Sequence, residues 1–356
     1  MAKKYYSSKK IRETDADYML IYGQRSNGKS YDVASYCIED AYKNPSHKFI
    51  YLRRWELETK AKSARKYFAD KPVFEITGGE YSTIDIFGND IYLGNVDEDG
   101  KIKRGRVIGS TMYLGGATHF KSQGYPDYQN VLFEECVTRN IYLPDEPTEL
   151  MDIVSTVARD RKIKVFMIGN TVSRLCPYFA EWQLTNIPYQ KPGTIDIYER
   201  YISADSDETI KIAVERCDVL ENKGTMFFGK SAKMIVSGAW ECDVQQKLPV
   251  KYDRCKKLYS MYFETMNLVY RAVVLYDKEI GTVLYVYPCK TTLDYLKDRV
   301  VTDKLIPFSK NLGVTRKFLE INKGDRIVKD LIKKDRIAFS DNLTGTEFYN
   351  IMKGVV

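Results

Sequence analysis

Three observations predict an α/β fold for this 356-residue chain, with a mostly parallel sheet carrying helices on both faces. Short apolar runs alternate with helical patterns over residues 18–205. A glycine-rich loop, Gly23–Ser30, follows directly on the first apolar run and opens the first helix. Hydrophobic residues at 44% and charged residues at 29% are globular proportions, which exclude a disordered or fibrous chain.

The elements follow in order. Tyr18–Tyr22 is a short apolar run that suits a buried strand, and after the loop a helix runs through Asp32, Ala34, Tyr36 and Ile38. Lys48–Leu52 reads as a second strand, ending in Arg53, Arg54 and Trp55, and residues 56–70 read as a charged helical stretch. Thr83–Phe87, Ile91–Leu93 and Arg106–Met112 are β-like runs separated by Gly88-Asn89-Asp90 and Asp97–Gly100, the signals of a small antiparallel meander. Asn130–Phe133 is a further buried strand, closed by Glu134 and Glu135. After Pro147 a helix places Leu150, Ile153, Val154, Val157 and Ala158 on one face, and Lys164–Ile168 is a strand ending at Gly169-Asn170.

The polar stretch Ser203–Glu208 marks the expected end of the first domain, at residues 1–205. Residues 206–250 read as a connector with a helix around Thr209–Leu220, and a last domain spans 251–356. There, Val269–Tyr276 and Thr282–Tyr287 form a hairpin across Asp277–Gly281. Charged helical patterns follow near 292–300 and 323–335, with a short helix over about 344–353.

The net charge of +7 is unevenly placed. Residues 1–250 carry 35 Lys+Arg against 35 Asp+Glu, and residues 251–356 carry 20 against 13. A basic module on a neutral one suits a polyanion partner, or a domain kept soluble by lysines. Seven scattered cysteines with no C-x-x-C pair argue against a disulfide framework or a zinc site, and two histidines, His47 and His119, leave little for histidine-based chemistry. Neither a signal peptide nor a run of eighteen apolar residues is present, so a soluble, reduced, intracellular protein without a membrane partner is expected.

Gly23–Ser30 fits the phosphate-binding pattern G-x-x-x-x-G-K-S in full. Its glycines let successive backbone N–H groups turn inward onto phosphate oxygens. Lys29 then reaches the β- and γ-phosphates, and the Ser30 hydroxyl coordinates magnesium at the positive end of the following helix. ATP and Mg2+ are the implied ligands. An acid at the carboxyl edge of the sheet is needed beside Ser30 for the metal, and a second acid can polarise the attacking water. Glu134 takes the first role and Glu135 the second. Asn170 suits a sensor of the γ-phosphate.

The order G-x-R-x-x-G-K-S, F-I-Y-L-R-R (Phe49–Arg54), F-K-S-x-G-Y-P (Phe120–Pro126), V-L-F-E-E (Val131–Glu135), A-R-D-R (Ala158–Arg161) and I-G-N (Ile168–Asn170) resembles the DNA-packaging ATPases of small picovirinae-type podophages. These encapsidation proteins are compact relatives of terminase large subunits within the additional-strand (ASCE) P-loop ATPases. The resemblance covers most of residues 18–205 and is weaker at the 269–287 hairpin. It implies a loop made of Gly23, Arg25, Asn27, Gly28, Lys29 and Ser30, of which Arg25 is the cation that packaging ATPases commonly carry. Glu135 matches the catalytic glutamate, and Glu134 stands where the family usually has aspartate. The A-R-D-R segment offers Arg159 and Arg161 alike as cations near a helix end. The resemblance implies Arg159 as the arginine supplied to a neighbour's nucleotide, with Arg161 second, and Lys121 as an interface lysine near the phosphates. It also implies a smaller α+β, RNase H-like C-terminal domain that has lost its acid cluster; Asp277 and Asp341 are the acids present without a convincing third.

A translocating motor grips backbone phosphate, the one feature repeated at every step. Lys101, Lys103, Arg104 and Arg106 in the meander, or Arg53 and Arg54 at the end of the second strand, are the DNA-contact candidates. The expected function is an ATP-driven motor moving double-stranded DNA into a preformed procapsid. Its expected partners are DNA, a portal or connector and further copies of itself in a ring, pentameric by resemblance, with a scaffold RNA left open. It would act in the host cytoplasm, transiently at the portal. A nucleoside or nucleotide kinase and a nucleic-acid-binding ATP switch are the alternatives.

Overall fold

A computed structural model describes residues 5–121, 123–138, 142–202, 207–219, 239–266, 268–302, 314–315 and 320–352. The chain divides into two units, Met1–Val172 with Asn186–Ala239, and Ser173–Thr185 with Trp240–Val356.

The first unit is built on nine strands: β1 (Tyr18–Gly23), β2 (Lys48–Arg53), β3 (Thr83–Phe87), β4 (Asp90–Val96), β5 (Ile102–Tyr113), β6 (Tyr128–Glu134), β7 (Lys164–Asn170), β8 (Thr194–Tyr201) and β9 (Thr209–Arg216). Their order is β3-β4-β5-β2-β6-β7-β1-β9-β8. From β5 to β9 every neighbouring pair is parallel, and the antiparallel strands lie at the two rims. Parallel strands covered on both faces read as unbroken apolar runs, and all six residues of β1 are buried. The helix Lys29–Lys43 turns Val33, Ala34, Cys37, Ile38 and Ala41 into the core that holds Phe49, Tyr51 and Phe166. β7 lies between β1 and β6, which is the additional strand of the expected class. Register then fixes the site. Gly23 stands beside Asn170, and Glu134 beside Ile168, so the carboxyl ends of β1, β6 and β7 open on one edge.

The expected helix over Thr209–Leu220 is corrected: Thr209–Arg216 is β9, paired with β1 from Ile212 to Arg216 and antiparallel to β8. Ile210, Ile212 and Val214 are β-branched residues spaced by two, and pairing beside the central strand overrides any local helical tendency. β8 and β9 on either side of Ser203–Glu208 pair in one sheet, and residues 203–206 lie outside the described residues. Residues 220–238 of the expected connector lie outside the described residues.

The second unit carries β10 (Lys256–Thr265), β11 (Leu268–Asp277), β12 (Gly281–Pro288), β13 (Val300–Thr302), β14 (Val314–Thr315) and β15 (Ile337–Phe339), in the order β14-β13-β10-β11-β12-β15. β11 is antiparallel to β10 and β12, while β13 and β14 run parallel to β10 and to each other. β15 adds to the other edge, parallel to β12. The helices Lys323–Lys333 and Asn342–Met352 add Val328, Leu331, Phe348 and Met352 to a core of Met261, Phe263, Tyr270 and Phe339. The helix expected near 292–300 is absent. The Asp294 carboxylate takes the Leu296 N–H at 3.1 Å, a local turn that competes with helix propagation, and β13 begins at Val300. Among the described residues no helix is long and apolar enough to cross a membrane.

Candidate active site

At the end of β1 the chain passes close to β9: a Cβ on Gly23 would lie 2.9 Å from that of Cys217. Ser26 and Gly28 then take positive φ angles of 58° and 96°, which curl the loop before the helix begins at Lys29. The Lys29 side chain folds back into the curl and is 4% exposed. Its Nζ donates to Gln24 O at 2.8 Å and to Asn170 Oδ1 at 2.8 Å, while Lys29 N donates to Asn27 Oδ1 at 3.2 Å. Burial pushes the ammonium below the ordinary lysine range, and the charge of nearby Arg25 adds to this. The loop residues and Asn170 thus meet around one amine. Arg25 itself stands exposed at the loop's outer side.

The two acids at the end of β6 have opposite settings. Glu134 is buried, accepts from Ser30 Oγ at 3.0 Å on Oε2, and accepts from the Tyr67 hydroxyl at 2.6 Å on Oε1. Burial pushes its carboxyl above the usual range. A serine hydroxyl and a carboxylate oxygen side by side at a helix start are the hard-oxygen pair that suits Mg2+, so these residues fit the implied metal. The extra methylene relative to aspartate is taken up without loss of contact to Ser30. Glu135 leaves the strand with a φ of 59°, and its side chain is 59% exposed. The two adjacent carboxylates thus sit in unlike surroundings.

Arg53 and Arg54, the second-strand candidates for DNA contact, are both engaged by acids of this chain. Arg53 Nη2 donates to Glu58 Oε1 at 2.6 Å and to Glu135 Oε2 at 3.0 Å, so it engages the exposed acid. Arg54 is 4% exposed and bidentate to Glu146 at 2.7 and 2.8 Å, and it also donates to the Glu135 and Cys136 carbonyls at 3.1 Å. It clamps the turn after the acid pair to the start of the helix Glu146–Ala158. Arg54→Ala is expected to lower unfolding stability by about 3–5 kcal/mol, because Glu146 would remain buried and unpaired; a urea titration reads this as an earlier midpoint.

A second cluster lies along that helix, from Asp152 at its middle to the residues just past its C-terminal end. Lys121 pairs with Asp152 at 2.8 Å, and Arg159 Nη2 donates to Gln123 O at 3.2 Å. Arg161 donates to Tyr125 O, Tyr128 O and Val157 O, at 2.6, 3.0 and 2.8 Å. Arg161 is thus held by three carbonyls, whereas Arg159 meets one, at the surface. Among the described residues no hydrogen bond or ion pair joins Lys121 or Arg159 to Lys29, Ser30, Glu134 or Glu135. The expected site residues therefore fall into two sets.

The basic meander also divides. Arg104 pairs with Asp85 at 2.6 Å, and Arg106 donates to Ala41 O and Tyr42 O at 3.1 and 2.6 Å. Lys101 and Lys103 remain exposed. In the second unit Asp277 pairs with Arg254 at 2.8 Å, and Asp341 accepts the Thr344 N–H at 2.9 Å at the start of the last helix. Among the described residues no group of three or more His, Cys, Asp or Glu side chains is placed to hold a metal.

Sequence reasoning missed Tyr67, Glu146 and the pairing of Arg53 with Glu135. Long sequence separations hide such pairs; only the Tyr67-Phe68 pair closing an otherwise charged helix hinted at an inward face.

The family model described as podovirus DNA encapsidation protein (Gp16) matches residues 1–230. The fold is similar to a chain of the bacteriophage Phi-29 viral genome packaging motor assembly, at 21% identity over 98% of each chain with a TM-score of 0.60. It is also similar to the Phi-28 gp11 DNA packaging motor, at 17% identity over 98% of this chain and 96% of that one, with a TM-score of 0.50. At these identities the likeness is one of fold. No curated protein sequence matches the chain.

Proposed function

Because the chain belongs to the podovirus DNA encapsidation protein (Gp16) family, we propose that its ATPase unit drives double-stranded DNA through a ring of copies into a preformed procapsid at the portal. A phage DNA-packaging ATPase binds nucleotide, and the observation that carries the reading is the meeting of Lys29, Ser30, Glu134 and Asn170 at one sheet edge.

ATP phosphates enter the curl of the loop, where the Lys29 ammonium exchanges its Gln24 and Asn170 contacts for phosphate oxygens. Ser30 and Glu134 would hold Mg2+, which would supply neutralisation of phosphate charge. Asn170 is then released from Lys29 to sense the γ-phosphate. Glu135 takes the proton of the attacking water once its carboxylate parts from Arg53. Arg159, with Lys121 beside it, reaches the nucleotide of a neighbouring copy, and the second unit contributes DNA binding or portal docking without cutting. Separation of the two residue sets within one chain supports this sharing. A pentameric ring and a scaffold RNA belong to the same proposal.

The test is ATPase rate with and without duplex DNA on procapsid-bound protein, where a rise with DNA is expected. A nucleotide kinase would instead phosphorylate a nucleoside monophosphate and ignore DNA. Replacing Lys101 and Lys103 together by Ala is expected to weaken DNA binding for all sequences and lower the salt-dependence slope by about two, with basal hydrolysis unchanged. Unchanged DNA affinity would remove the turn from the pore.

A further inference from the structure

The short helix Ala61–Phe68 lies after β2 and far in sequence from the acid pair, yet its Tyr67 reaches Glu134. The phenol sits 2.6 Å from Glu134 Oε1 and 3.3 Å from Ser30 O, so it touches both residues assigned to the metal. The ring is held from two sides: Tyr51 stacks on it at 4.6 Å with 28° between planes, and Lys71 Nζ stands 4.6 Å from its centre. Lys71 Nζ also donates to Tyr67 O at 2.9 Å, which ties the ring's own backbone to the cation over its face. A ring clamped in this way presents its hydroxyl in one direction.

Glutamate has one more rotatable bond than aspartate, so its carboxylate needs something to fix it. With Oε1 bound to the phenol, Oε2 is the oxygen that faces Ser30 at 3.0 Å. We propose that Tyr67 is a positioning residue for Glu134, holding the carboxylate so that a single oxygen is presented beside Ser30 to a divalent cation. This rests on the reading that Ser30 and Glu134 hold Mg2+. The helix Ala61–Phe68 becomes part of the nucleotide site through Tyr67, without any contact of its own to phosphate.

The experiment is equilibrium binding of a fluorescent, non-hydrolysable ATP analogue to the full chain, titrated with Mg2+. Tyr67→Phe keeps the stacked ring and removes only the hydroxyl, so without Mg2+ it should still unfold in one cooperative transition, its midpoint lowered by no more than the loss of one hydrogen bond. It is expected to raise the Mg2+ concentration for half-maximal binding on the order of tenfold, the worth of one hydrogen bond to a charged group. Binding without Mg2+ should not change. Glu134→Asp withdraws the carboxylate from the phenol, so adding Tyr67→Phe to it should shift nothing further. Unchanged Mg2+ dependence in Tyr67→Phe overturns the proposal, as does an equal loss of affinity with and without Mg2+. Glu134→Gln separates the two readings. If it also leaves Mg2+ dependence unchanged, the metal assignment itself falls; if it shifts while Tyr67→Phe does not, only the role of Tyr67 falls.

Discussion

Glu135→Gln is expected to bind ATP with near wild-type affinity and to lose turnover by about 10²–10⁴-fold, the contribution of a positioned general base. The amide keeps the shape of the side chain and its place after the φ 59° turn, but it cannot take a proton from water. Arg53 loses the charge of one of its two partners and keeps Glu58, so the local structure should survive. Lys29→Ala is the companion variant and should fail earlier, at binding, because its amine occupies the centre of the loop. Filter-bound nucleotide and single-turnover hydrolysis distinguish the two. Near wild-type hydrolysis by Glu135→Gln would move the base elsewhere, with Glu134 the next candidate. Its bonds to Ser30 and Tyr67 make it the poorer base, since both oxygens are already occupied.

Arg159→Ala is expected to bind ATP almost normally and to lose about 10³–10⁵ in rate, as for a finger that acts on transition-state charge. Arg159 stands at the C-terminal end of the helix Glu146–Ala158 with a φ of 49°, its guanidinium meeting the Gln123 carbonyl at the surface. Arg161, two residues on, already serves three carbonyls and should affect folding more than rate. Mixing Arg159→Ala chains with Glu135→Gln chains gives a direct readout. Each is inactive alone, but some interfaces in a mixed ring pair an intact base with an intact arginine. Partial recovery of hydrolysis supports a finger supplied by a neighbour. No recovery in verified mixed rings points to a role within its own chain, and wild-type turnover from an Arg159→Ala monomer removes it from the mechanism.

What the sequence determined by itself was local. The loop Gly23–Ser30 was legible because phosphate binding needs particular residues at adjacent positions, and strand, loop and helix are continuous there. The acids at 134 and 135 were legible because an apolar run ended in charge. The alternation of strands and helices named the sheet as mostly parallel, and the hairpin Leu268–Asp277 with Gly281–Pro288 stood out because a turn joined two β-branched runs.

Tertiary structure decided everything that depends on pairing across the sheet. Thr209–Arg216 carries only a short alternation of β-branched residues, and its pairing with β1 makes it a strand. Arg53 and Arg54 are adjacent and alike in sequence, yet one meets an exposed glutamate and the other a buried one. Arg104 and Arg106 look like a basic loop until Asp85 and the carbonyls of Ala41 and Tyr42 come against them. Tyr67 reaches Glu134 across 67 positions of chain, a separation no periodicity encodes. The physical reason is common to the last three. A charge or a hydroxyl is assigned its role by the partner that desolvates it, and the fold brings that partner from another strand or helix.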